Sequence, residues 1–463
     1  MIRRPALFIP VLLLAGCTAG TPYTPPTLET PASWSEANAL ARPVDTHWWT
    51  AFGDPVLDTL VSQALAGNPD IDQALARVEQ ARANAGLAKA SQLPAVTLDG
   101  TLAHTRQSLT EGLGQLSQYV PDYPRSQDLG TLTTGVNWDL DFAGGLRRGR
   151  EAAIADLAAA AAGTQAARLA VTAELVDTYL GYRGAQAQLA TLEQRRAMLA
   201  ERRTIMAARV RAGEAAAAAL DPFDASLAAT DALLPSARAA LTTARHRIAI
   251  LTGHPAGTAL PMLDAAAPIP LAGDPAADVP ASMLRRRPDL ISSEAQLHAA
   301  HARIGVALAE YWPKFSLSGL LGFTSNDLDR FGSGASSVIQ GAAGMRWRLF
   351  DFGRIDAEVA AAKGREKEVL AAYRGAVLKA GEEVESSFTT LGAARSALAQ
   401  REMQRDALAR AAKRAKASFG AGEISRDALR EAELSLMDGD DAVTAAKVDL
   451  ARAVLNCHRA LGG

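Results

Sequence analysis

Few side chains in this sequence stand where chemistry is usually done. Asp427 and Glu431 lie four residues apart, hence on one face of any helix that starts after Gly422, and Arg426 and Arg430 accompany them. Such acids ordinarily pair with neighbouring arginines on a solvated face, and they are the sharpest candidate for anything more. Glu294, His298 and His301 follow one another at i, i+4 and i+7, yet no fourth ligand or open-site motif goes with them, so no metal centre is expected. Gly144-Gly145-Leu146-Arg147-Arg148-Gly149 lacks the Lys-Ser/Thr of a phosphate loop, and Gly332-Ser333-Gly334 lacks the third glycine of a dinucleotide fold. Neither G-x-S-x-G nor H-E-x-x-H occurs. Neither an enzyme activity nor a cofactor is expected.

Composition narrows the class of partner. A formal net charge of -2 and a pI near 6.4 leave no clustered basic footprint for a phosphate backbone, so nucleic acid is set aside. The two cysteines, Cys17 and Cys457, belong to no CxxC or Cys/His cluster, which excludes a structural zinc site. Cys457 sits on an Ala-Leu face near the C-terminus and reads as a buried small hydrophobe.

The N-terminus reads as a targeting segment. Arg3 and Arg4 precede an apolar run from Leu7 to Leu14 and a small-residue cleavage site, so residues 1–16 are expected to be a signal peptide too short to span a bilayer. Leu14-Ala15-Gly16-Cys17 resembles the bacterial lipoprotein box, which implies a lipidated Cys17; Thr18, in place of an aspartate, is consistent with sorting to the outer membrane. The Thr-, Pro- and Ser-rich stretch within 17–47 cannot bury a core and reads as an extended tether.

The elements that must position these residues are written twice. Asn68-Pro69-Asp70-Ile71, Asn84-Ala85-Gly86 and Leu93-Pro94 reappear as Arg287-Pro288-Asp289-Leu290, Arg303-Ile304-Gly305 and Trp312-Pro313, and 219 residues separate Pro69 from Pro288 as they do Pro94 from Pro313. In each copy a helix hands over to an alternating strand and a hairpin follows, about 95–142 and about 314–350. Past Trp138 and Trp347 the offset is 209. Leu175, Tyr179, Tyr182, Gln186 and Leu189, and then Val384, Phe388, Leu391 and Leu398, fall on the spacing of a coiled-coil seam.

Helices are therefore expected at about 54–66, 69–91, 145–212, 221–253, 354–418 and 425–460, with Ala212-Gly213-Glu214 and Ala421-Gly422-Glu423 as turns. The repeats are placed at 48–254 and 281–463, joined by a Pro-rich linker at 255–280. Strands of about ten residues with one apolar face suit an outer-membrane barrel, and Trp138 and Trp347 near their ends suit an aromatic girdle. Four strands cannot close in lipid, so copies must join; two would give eight strands and three would give twelve.

Arg286-Arg287-Pro288-Asp289-Leu290, Glu294, the Ala-x-x-Ile-Gly pattern ending at Gly305 and the aromatic-Pro before a strand resemble the outer-membrane factor family, the TolC-type exit ducts of tripartite efflux pumps. Trp48-Trp49 leading into Phe52-Gly53-Asp54-Pro55 resembles the entry of its lipoprotein branch. The resemblance implies a mainly α protomer with membrane β-hairpins, a homotrimer with a 12-stranded barrel continuous with a periplasmic α-helical barrel, and a location in the outer membrane. It also implies passive conduction of substrates delivered by an inner-membrane transporter through a periplasmic adaptor. The position matching Glu431 often lines a constriction at the periplasmic tip, so Asp427 and Glu431 become candidates for a ring that closes the resting duct. Here the first copy departs, with Pro222 opposite Glu431. The rival reading is a lipid-anchored periplasmic coiled coil without a channel.

Overall fold

Two helices of 67 residues each dominate the chain, α3 (Gly145–Arg211) and α6 (Arg354–Gly420), each about 100 Å long at 1.5 Å per residue. The computed structural model describes residues 18–28, 31–35, 47–110, 112–273, 275 and 279–463 of the 463. The remaining longer helices are α1 (Pro55–Gly67), α2 (Pro69–Ala90), α4 (Asp221–Leu251) and α7 (Arg426–Leu461), each within a few residues of the expected bounds, and α5 (Pro288–Ala309), the helix that hands over to the second hairpin. No helix among the described residues is long and apolar enough to cross a membrane.

The chain divides into two compact units that cut across the sequence repeat. One comprises 27–78, 160–293 and 373–463. Its helices begin and end on specific signals. Asp54 caps α1 by accepting from the Val56 amide at 2.9 Å, with Pro55 in the first turn, and Leu57, Leu60, Val61 and Ala64 then fall on one buried stripe. α3 and α6 end on Gly213 (φ +76°) and Gly422 (φ +78°), where the Glu214 amide bonds back to Arg209 O and that of Glu423 to Ser418 O. Ser425 then caps α7 through the Ala428 amide.

The expected seam is buried. Leu175, Tyr179 and Tyr182 on α3 and Val384, Phe388, Leu391 and Leu398 on α6 lie inside. Leu189 packs with Leu192, Leu234 and Ala237 between α3 and α4, and Leu398 packs with Val443 and Ala446 between α6 and α7, the same contact made twice. Burying such side chains stabilises each helix pair by roughly 25 cal/mol per Å² of apolar surface. The linker is fastened to α3: Tyr182 Oη donates to Leu263 O at 2.8 Å, and the fully buried Arg183 donates to Ala265 O at 2.7 Å.

The other unit comprises 1–26, 79–159 and 294–372, and its described part contains the sheet. Four antiparallel strands, β1 (Ala95–Arg106), β2 (Ser126–Asp139), β3 (Lys314–Ser325) and β4 (Ser337–Arg346), pair in the order β1-β2-β3-β4. The strands stop three or four residues before the expected ends of the hairpins. There Asp141 caps α3 through the Leu146 and Arg147 amides, and Asp351 caps α6 through that of Ile355. The longer first hairpin spends its extra residues between β1 and β2, in a connection that includes a single helical turn at Leu116–Tyr119.

Candidate functional site

Directly opposed residues of an antiparallel sheet share a face. By the observed register one face therefore carries Val96, Leu98 and Leu102, then Leu132, Val136 and Trp138, then Leu317 and Leu321, then Ile339 and Met345. All ten are exposed, Leu102 at 74% and Ile339 at 80%. The opposite face is mostly polar, carrying Thr97, Asp99, Thr101, Thr133, Asn137, Ser316, Ser318 and Gln340, with Leu129, Leu320 and Val338 as its larger apolar members. A sheet with one bare apolar face and one polar face separates lipid from water.

Both expected girdle tryptophans sit at the helix-to-strand junctions and are fixed there by the same bond. Trp138 Nε1 donates to Gln92 O and Trp347 Nε1 to Tyr311 O, each at 3.0 Å and each two residues before the proline that opens a strand. The indole keeps its polar end satisfied while the ring stays exposed, the usual compromise at a membrane interface.

At the α6–α7 turn the two candidate acids behave differently. Asp427 is held in a two-pronged ion pair by Arg202 of α3, Nε to Oδ1 at 2.6 Å and Nη2 to Oδ2 at 3.0 Å. Arg202 also lies over the Phe223 ring of α4, at 5.3 Å from its centroid. Glu431 is 3.9 Å from the same guanidinium and its side chain is 73% exposed. Arg430 and Arg426, the partners nearest in sequence, instead reach Glu201 of α3. Arg202 thus joins the starts of α4 and α7 to α3, a role no local spacing announces, since 225 residues separate it from Asp427.

Cys17 lies outside the described residues. Thr18, next to it in the chain, lies against Gly144 (φ +78°), where a Cβ would come within 2.9 Å of it, at the junction of β2 and α3. The residues that follow are pinned. Arg148 donates to Ala19 O at 2.9 Å and Gly20 O at 3.0 Å, His301 contacts Thr21 O at 3.0 Å, and Tyr23 stacks on His298 with centroids 4.4 Å apart. Residues 18–23, within the stretch that composition reads as an extended tether, are docked as a strap.

The two histidines are each engaged by a carboxylate from a different helix, His298 with Glu151 and His301 with Glu366. Burial pulls the Glu151 carboxyl upward, but hydrogen bonds from His298 and Arg148 prevail and hold it below its ordinary value. No cluster of three or more potential metal ligands occurs among the described residues.

The Arg-Pro-Asp stretch acts at a helix end. Buried Arg287 donates to Ala460 O at 2.9 Å, to Asp289 and, at 2.7 Å, to Glu383. In the first copy Asn68 fills the same place, donating to Leu251 O at 2.9 Å and accepting from the Asp70 amide. The tie of Arg287 to the last turn of α7 bridges 173 residues and has no local signal in the sequence.

An amphipathic antiparallel sheet joined through capped turns to paired helices of this length defines an outer-membrane channel protomer. The outer membrane efflux protein family model matches residues 60–254 and 279–463, and the chain belongs to that family. It is 30% identical to outer membrane protein OprJ of Pseudomonas aeruginosa over 98% of this chain and 96% of that one. It is equally identical to nodulation protein T of Rhizobium leguminosarum bv. trifolii, over 82% and 80%. The solved structure of the outer-membrane channel OprN is 31% identical and superposes with a TM-score of 0.81, covering 96% of this chain and 99% of that one. The open state of the Neisseria gonorrhoeae MtrE outer-membrane channel, at 23% identity, shares the fold with a TM-score of 0.82, covering 96% and 98%. The protein is an outer-membrane efflux channel of the TolC type.

Proposed function

We propose that three copies of this chain close a twelve-stranded barrel in the outer membrane and that their long helices continue it as a periplasmic duct. The observation that carries the reading is the four-stranded sheet with a bare apolar face and two outermost strands, β1 and β4, left to pair beyond the chain. Conduction is passive in this component, which takes substrates from an inner-membrane transporter through a periplasmic adaptor. Cys17 is lipidated, and the docking of Thr18 to Gly20 at the strand–helix junction supports an anchor at membrane level.

Asp427 and Glu431 form the constriction. Asp427, clamped by Arg202, holds the α6–α7 turn against α3 in the resting state, while exposed Glu431 supplies the charge that cations meet. The purified protein in a planar bilayer is expected to give a low resting conductance that rises when both acids are replaced by Ala. An unchanged conductance would remove them from the gate, and a protein that never conducts would remove the duct.

A further inference from the structure

The strap at residues 18–23 lies along α5 and runs against its chain direction. Tyr23 stacks on His298, Thr21 O meets His301, and a Cβ on Gly20 would stand 3.2 Å from the Gly305 Cα and 3.6 Å from Leu308 Cδ1. Each step toward the N-terminus is thus a step along α5 toward the strand that follows it. The Ala19 amide then donates to Ala143 O at 2.8 Å, and Thr18 closes on Gly144 in the turn between β2 and α3. Gly305 lets the strap pass, since a Cβ there would stand 2.8 Å from Ala19 O and 2.7 Å from Arg148 Cγ. Thr18 is delivered to one place.

A cleft opens beside that place. It encloses about 180 Å³ between the ends of β2 and β3, the first turn of α3 and the last turn of α5, and Leu140, Phe142, Leu146, Val306, Ala309 and Phe315 form its apolar wall. The Phe142 and Phe315 rings meet edge-on at 5.2 Å, yet Phe142 still exposes 43% of its surface. Two of the acids that line the cleft are already engaged: Asp141 caps α3 through the Leu146 and Arg147 amides, and Glu310 pairs with Lys314 and Arg348. Asp139, Lys314 and Arg346 belong by register to the polar face of the sheet, whereas Phe315, opposite Met345, belongs to the apolar one.

We propose that this cleft seats an acyl chain carried by Cys17, so that the lipid packs on the protein's own sheet–helix junction where it enters the bilayer. The occupant follows from reach and chemistry. Thr18 is the next residue after Cys17, consecutive Cα atoms stand about 3.8 Å apart, and Thr18 rests on Gly144, whose neighbours Ala143 and Gly145 both line the cleft. An apolar wall beside carboxylates that are already paired suits a hydrocarbon chain. A seated chain covers the bare side of Phe142 and holds the strap at its outer end, which makes the modification a part of the junction as well as a tether. The proposal rests on the lipidation of Cys17 stated above.

Cells fed a fatty acid that bears a photoreactive diazirine place the probe on Cys17; membranes are irradiated, and the protein is purified, digested and mapped by mass spectrometry. The N-terminal lipopeptide is expected to be joined mainly to peptides from residues 140–146 or 306–315. Val306→Phe, which fills the cleft, is expected to cut these links several-fold while oligomeric mass and circular dichroism stay those of the parent. Should that variant fail to assemble, the links in the parent decide alone. An N-terminal peptide without lipid removes the modification and the proposal with it. A lipidated Cys17 whose links spread over the apolar face of the sheet, or persist in an assembled Val306→Phe, overturns the cleft and leaves the anchor standing. Phospholipid linked to the same peptides, as strongly in Cys17→Ser as in the parent, gives the cleft to a membrane lipid and overturns the proposal as well. Hydrogen exchange supplies a second readout: the Ala19 amide is expected to exchange several-fold faster in Cys17→Ser and in Val306→Phe, and no faster in the double variant than in the more affected single. Additive gains, or none, would mean that the strap holds without the lipid.

Discussion

Arg287 and Asn68 solve one problem in two ways: each satisfies a carbonyl in the last turn of a distant helix while turning its own chain into a new one. The arginine solution adds charge. Burial would raise the Asp289 carboxyl, but the hydrogen bond and charge of Arg287 hold it below the ordinary carboxylate value. A depressed folded pKa means stability that is fully present above the unfolded value of about 3.9 and lost as pH falls through the folded one. Asp289→Asn is therefore expected to unfold at a lower temperature than the parent at pH 6, with the gap closing below about pH 4. Thermal melts followed by circular dichroism at both pH values check this, and a gap independent of pH would assign the loss to packing alone.

Much of the element scale was legible because its signals are local. Asp54-Pro55, Ser425, Gly213 and Gly422 mark helix ends by residue type, and the seam from Leu175 to Leu189 is periodic. The hairpins were legible through their alternation, although Asp141 and Asp351 end them early by capping the helices that follow. What was not legible joins elements across long gaps: Arg202 to Asp427, Arg183 to the linker, Arg148 to the strap at Ala19. Such pairs obey no period, because only the assembled helices bring them together. The spacing of Asp427 and Glu431 singles them out as candidates, but nothing local marks Arg202, which holds Asp427 and leaves Glu431 exposed. At the turns themselves, nothing lies within 4 Å of a Cβ built on Gly213 or Gly422, so any cost of substitution is conformational. Gly422→Ala should lose roughly 1–2 kcal/mol, and Gly422→Asn should lose less, since asparagine visits the left-handed region. Denaturant titration of helix content checks the order; equal losses would place the cost in contacts.

At the scale of the whole molecule, the apolar face of the sheet sets the terms. Val96, Leu98, Leu102, Leu321, Ile339 and Met345 are each more than half exposed on one side of four strands, a patch that water does not tolerate on a lone protomer. A lipid chain on Cys17 would tether such a protein to the membrane surface without covering this face, whereas a closed barrel covers it with lipid over its full height. The two ways of belonging to the membrane separate when the anchor is removed. Cys17→Ser is expected to remain in the outer-membrane fraction through high-salt and alkaline washes, to need detergent for extraction, and to migrate there at the oligomeric mass of the parent. The strand signal in circular dichroism should be unchanged. Release of a water-soluble monomer by the same substitution would instead favour an anchored coiled coil whose hairpins dock on a partner, and the apolar face would then be a protein-binding surface.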